Sequence, residues 1–138
     1  MNDHTILEKL ATAKGGVFEK LDERKSKRMG GAKTNYIPTV AEVAKVIRAI
    51  PKGETRTIYD IRSAIAKKVK TDTSCPAAVL KYWKWMANLS DDLKLIHREY
   101  DIPWWRVLKD GKPSRHMPGG AVNQKRILKS EGALVFPE

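Results

Sequence analysis

The chain has 138 residues, 41% hydrophobic and 31% charged, and its 27 Lys and Arg against 16 Asp and Glu give a net charge of +11. That length suits one domain with a single core, and the mixture excludes a disordered, collagenous or low-complexity chain. No apolar run approaches the roughly 18 residues of a membrane span, the N-terminus lacks the order of a secretory signal, and the single cysteine, Cys75, excludes an internal disulfide and a cysteine-based zinc site.

The expectation is a cytoplasmic monomer without cofactor, metal or membrane contact. A sequence pI near 9.8 points to polyanions, and phosphate backbones are the natural match. A merely solubilising surface fits the same charge.

In chain order, "HTILEKLATAK" predicts a short helix with Ile6, Leu7 and Leu10 on one side. "GGVFEKLDERKSKRMGGAKTNY" mixes glycine pairs with dense charge and reads as a basic arm or irregular cover. Residues 1–36 are therefore expected to stand apart from a compact domain over 37–138. "PTVAEVAKVIRAIPKG" places Thr39 and Glu42 at capping-box spacing, with Val40, Val43, Ala44, Ile47 and Ile50 on one stripe, and predicts a helix ending at Pro51 and Gly53. "TIYDIRSAIAKKV" predicts a second, capped by Thr57 and Asp60 and burying Ile58, Ile61, Ile65 and Val69.

After the polar loop "KTDTSC", Pro76 opens a third helix, "PAAVLKYWKWMANL". At about 100° per residue, Ala77, Lys81, Lys84 and Asn88 fall on one narrow strip, while Val79, Trp83 and Met86 face inward. Two helices joined by a short loop, the second carrying such a strip, predict a helix-turn-helix. An ordinary core helix kept soluble by its lysines fits too. "WWRVLKDGKPSR" predicts a strand and a tight turn at Asp110 and Gly111, a small β wing. "AVNQKRILKSEG" predicts a final helix with Val122, Ile127 and Leu128 on its apolar side and Gly132 as its stop, followed by an extended tail. The fold class expected is mainly α with a small β wing.

From Thr39 onward, "IPKGETRTIYDI", "CPAAVLKYWKWMANL", "IPWWRV", "DGKPSRHMPGG" and "QKRILKSEG" together resemble the DNA-binding domain of the O6-alkylguanine-DNA alkyltransferases. That family runs from a proline-glycine turn to a Tyr-bearing helix, an Arg-Ala-Val recognition helix, a Pro-Cys-His-Arg-Val active site, a glycine-pair loop and a final Leu-x-x-Glu-Gly. The resemblance implies a winged helix-turn-helix. It also puts Trp104 at the position of the methyl-accepting cysteine and Trp105 at that of its activating histidine. An indole carbon does not replace a thiolate as alkyl acceptor, so the chain is not expected to be an enzyme. It resembles the alkyltransferase-like proteins, which bind O6-alkylguanine in double-stranded DNA and flag it to nucleotide excision repair proteins.

The polar strip and the resemblance together give Tyr59, Ala77, Lys81, Lys84, Asn88 and Arg106 as DNA-binding, and the resemblance gives Tyr59, Trp104, Met117, Pro118 and Gly119 as a lesion pocket for a flipped base. An aromatic wall suits that task, since stacking contributes roughly 1–3 kcal/mol per base, comparable to the cost of unstacking. Three departures stand out. Ala77 replaces the family's inserted arginine, Leu80 and Lys81 replace glycines that admit the helix to the minor groove, and Pro118 removes a backbone N–H from the pocket lip. Glu131 is retained, and Arg106 matches an arginine of mainly structural purpose. For Trp105, plain core packing fits as well as a pocket. A general winged helix-turn-helix DNA-binding or regulatory module is the alternative function. A third reading makes Cys75 a relocated nucleophile, but no histidine lies close to it in sequence; His4, His97 and His116 lack metal spacing.

Overall fold

In a computed structural model describing residues 15–89 and 101–134, five α-helices and two small sheets alternate along the chain. The expected N-terminal helix, His4, His97, residues 90–100 and the last four residues lie outside the described residues. The class is mixed α/β, roughly half helical, with more strand than the small wing expected. Two of the additional strands come from the segment read as an irregular arm, and two short ones, Arg56–Thr57 and Thr73–Ser74, each precede a helix.

Within that segment, β1 (Val17–Lys20) and β2 (Thr34–Ile37) pair antiparallel, and β2 also pairs in parallel with β4 (Thr73–Ser74). Between β1 and β2 lies α1 (Glu23–Arg28), capped by Asp22, whose Oδ1 accepts the Lys25 N–H at 2.8 Å, and closed by a Gly31 N–H to Ser26 O bond of 2.8 Å. The domain therefore does not begin at Ile37. Tyr36 belongs to the main core at 6% exposure, and its hydroxyl donates to Glu42 Oε1 at 2.7 Å. Burial and this bond push the phenol up to about 12.

The same Glu42 oxygen accepts the Thr39 N–H, while Thr39 Oγ1 accepts the Glu42 N–H: the predicted capping box of α2 (Val40–Arg48). The predicted stripe is buried, with Val43, Ala44 and Ile47 essentially inaccessible. An equivalent box of Thr57 and Asp60 opens α3 (Ile58–Val69), which buries Ile61 and Ile65 and half-buries Ile58 and Val69. Next comes α4 (Pro76–Asn88), burying Val79, Trp83 and Met86 as its periodicity dictates. Each fully buried aliphatic side chain contributes roughly 1.5–3 kcal/mol, so this shared core fixes α2, α3 and α4 against one another. Arg62 braces the turn between α3 and α4, with Nε donating to Ser74 O and Nη2 to Thr73 Oγ1, both at 3.0 Å.

The segment read as a strand from Trp104 begins instead as a 3₁₀ turn, Trp104–Arg106, and only β5 (Val107–Leu108) is extended. The cause is local: the Trp104 and Arg106 N–H groups bond to the Ile102 and Pro103 carbonyls, and the Trp104 carbonyl accepts Trp83 Nε1 at 3.0 Å. β5 pairs in parallel with β3 (Arg56–Thr57), setting the start of α3 beside the loop that follows β5. That loop is the expected tight turn. Asp110 and Gly111 both have positive φ, 53° and 74°, between reciprocal Lys109–Lys112 backbone bonds of 3.1 and 3.0 Å.

The last helix, α5 (Gly120–Ser130), stops at Gly132 as expected. There the Gly132 and Ala133 N–H groups return to the Lys129 and Leu128 carbonyls. Its inward face differs from expectation: Leu128 is buried and Ile127 half-buried, but Val122 is 83% exposed and Gln124 takes the interior. The Gln124 amide answers three backbone groups, accepting Ser114 N–H at 2.8 Å and donating to the Trp105 and Val107 carbonyls at 3.1 and 2.7 Å. A valine there would leave them unpaired.

Candidate nucleic-acid interface

Because Val79, Tyr82, Trp83, Met86 and Ala87 of α4 are buried in the core, its polar strip is directed outward. Ala77, Lys81 and Asn88 are exposed and Lys84 is half-buried. Lys81 Nζ lies 4.6 Å from the Trp85 ring centroid one turn on, which holds its stem along the helix. The Asn88 amide is committed to structure, with Nδ2 donating to Lys84 O at 2.9 Å and His116 O at 3.2 Å. Those bonds dock the loop before α5 onto the end of α4.

Docking brings in cations that sequence reasoning missed. His116 is held below the ordinary histidine value, first by Lys84, then by partial desolvation, then by Arg115 and Lys109. Lys84, Arg115 and Lys109 thus all lie within electrostatic reach of His116, which Asn88 holds at the end of α4. Charge density in "LKDGKPSRH" hinted at this grouping, but only the fold joins that loop to Lys84.

Tyr59, on the exposed side of α3, is 68% exposed and lies between two open cavities. One, of about 390 Å³, lies among Tyr59, Leu80 and the Lys109–Gly111 turn. The other, of about 790 Å³, lies between α3 and the α1–β2 loop.

The expected lesion pocket is not assembled as expected. Trp104 and Met117 are core residues at 6% and 3% exposure, Pro118 is half-buried and Gly119 exposed, and neither cavity beside Tyr59 contains any of the four. The large apolar indole of Trp104 fills core space, edge-on to Trp105 at 5.5 Å between centroids and 85° between planes. Trp105, half-buried, has Arg106 at 5.7 Å from its ring centroid.

Arg106 is likewise not placed for DNA. Its Nε and Nη2 grip Glu131 at 3.0 and 2.7 Å, and Nη1 donates to Ile50 O at 2.9 Å. Its side chain is 15% exposed. This bidentate pair joins the 3₁₀ turn, α5 and the end of α2, and the Arg106 hydrogen bond holds the Glu131 carboxyl below its usual range.

Protein-family models, curated proteins and solved structures yield no match to this chain. Cys75 immediately precedes α4 and is partly exposed, and among the described residues no three His, Cys, Asp or Glu side chains gather as metal ligands. No helix among the described residues is long and apolar enough to cross a membrane.

Proposed function

We propose that this chain is a non-catalytic DNA-binding protein, a winged helix-turn-helix in which α4 is the recognition helix and the Lys109–Lys112 turn the wing. The observation that carries the reading is the outward strip of α4, with Lys84, Lys109 and Arg115 within electrostatic reach of His116 at its end. Lysines there replace counterions on phosphates, and Ala77 lets the N-terminal end of the helix approach closely. The net charge of +11 supplies long-range attraction.

The narrower proposal is recognition of O6-alkylguanine in duplex DNA without repair, as in the alkyltransferase-like proteins that the sequence resembles. Its support is that resemblance, with Trp104 at the acceptor position. Because Trp104 and Met117 are buried, it requires the loop Pro118–Gly119 to open when DNA binds. A general DNA-binding module needs no opening, and the buried indole favours it as the second reading.

Fluorescence-anisotropy titration of matched duplexes, with and without one O6-methylguanine, tests both levels. Tighter binding to the alkylated duplex, with unchanged protein mass afterwards, is the expected result. Equal affinities would remove lesion recognition and leave the general module. No binding to either duplex would remove the proposal.

A further inference from the structure

We infer that the N-terminal lobe is a second DNA contact, in which the groove between the α1–β2 loop and α3 receives the sugar-phosphate backbone of the duplex held by α4. The inference rests on the proposed DNA binding and extends it to a segment outside the helix-turn-helix.

Position comes first. The groove, of about 790 Å³, has Arg28, Gly30, Gly31 and Lys33 on one wall and Tyr59 and Arg62 on the other, and reaches Pro76 at the start of α4. Tyr59, Arg62 and Pro76 also line the smaller cavity, which continues to Leu80 and the Lys109–Gly111 turn. One concave surface thus passes from the lobe, along the beginning of α4, to the proposed wing. The strip residues Ala77 and Lys81 directly follow Pro76 and Leu80 in the chain.

Chemistry comes second. A volume within the usual ligand range of about 300–1,000 Å³ is here walled mainly by cations, backbone and small polar groups rather than by apolar and aromatic side chains. That composition suits a phosphate-bearing strand better than a small apolar ligand. Arg28 and Lys33 are exposed. The one carboxylate in the wall, Asp72, is occupied with backbone, its Oδ2 accepting the Lys33 and Thr34 N–H groups at 2.9 and 3.2 Å. It therefore pins the lobe to the α3–α4 turn and sets Lys33 at the rim. Side chains added at Gly30 or Gly31 would meet nothing within 4 Å, so the loop leaves open space in front of its backbone.

The lobe is held well enough to act as a wall. β2 is shared with β4, and β4 leads through Cys75 straight into α4. A strand lying in the groove would therefore stand in fixed register with the strand contacted by Lys81 and Lys84.

The test uses the full chain and one unmodified duplex, comparing wild type, Arg28→Ala/Lys33→Ala, Lys81→Ala/Lys84→Ala, and the charge-matched control Lys45→Ala/Lys129→Ala over a range of salt. The groove pair should weaken binding by about tenfold or more beyond the control and flatten the slope of log affinity against log salt by about 0.9 per lost contact. If it matches the control while the α4 pair loses affinity, the inference is overturned and the proposed function stands. If wild type does not bind, both fall. Acetylation of Lys33 in wild type, read by mass spectrometry with and without duplex, gives an answer independent of substitution: protection is expected, and unchanged reactivity overturns the inference.

Discussion

Gln124 and Arg106 do comparable work at the residue scale, each joining backbone that no regular ladder reaches. Replacing Gln124 with Ala would orphan the Ser114 N–H and release the Trp105 and Val107 carbonyls. A loss of about 2–3 kcal/mol is expected, read as a lower denaturant midpoint with little change in slope. Glu131→Gln would leave the Arg106 guanidinium without its counter-charge in a largely enclosed place, with an expected loss on the order of 2 kcal/mol. Since the Glu131 pKa lies below its ordinary value in the folded chain, the contribution is complete above the unfolded carboxylate value. It disappears as pH falls through the lower folded value. Melting temperatures of wild type and Glu131→Gln should therefore differ at neutral pH and converge in acid. The role of Gln124 was not legible in the sequence, and the resemblance gave Arg106 a mainly structural purpose without naming its partners. Periodicity put Val122 inside because it scores apolarity and is blind to the polar demand of a neighbouring backbone. Arg106 passed for a possible phosphate ligand because its partners lie 25 and 56 positions away in the chain.

At the scale of elements, α2, α3 and α4 follow their local signals because the capping boxes of α2 and α3, the opening proline of α4 and the apolar stripes of all three act within a few residues of each other. The lobe before them also carried signals, Asp22 ahead of α1 and glycines after it. Its strands, VFEK and TNYI, show no alternation of apolar and polar residues, however, and pairing with β4 cannot be read from one segment alone. At the other end of α4, the His116 loop adds a titrating charge to the proposed interface. Lys84, Arg115 and Lys109 keep His116 low, so its protonation is disfavoured in the free protein. A nearby phosphate reverses that preference, and binding then takes up a proton. DNA affinity should accordingly rise as pH falls toward the lowered His116 value, and His116→Ala should remove most of that rise. An unchanged pH profile in His116→Ala would place the phosphates away from this loop.

For the whole molecule, charge and core carry separate messages. If Arg28, Lys33, Lys81 and Lys84 each meet a phosphate, log affinity should fall against log salt with a slope of about −3 to −4; a flat response in a salt titration would argue against every DNA contact proposed for this chain. Composition and short-range pattern alone determined the basic character, the three central helices with the two capping boxes and the opening proline, the outward lysine strip and the Asp110–Gly111 turn, since these depend on residues within one or two turns of each other. Only the tertiary structure decided that Trp104 and Met117 belong to the core, that Arg106 faces Glu131, and that the N-terminal lobe shares a sheet with the start of α4. Burial and long-range pairing are set by every surface that competes for the same space, and no local stretch of sequence contains that competition.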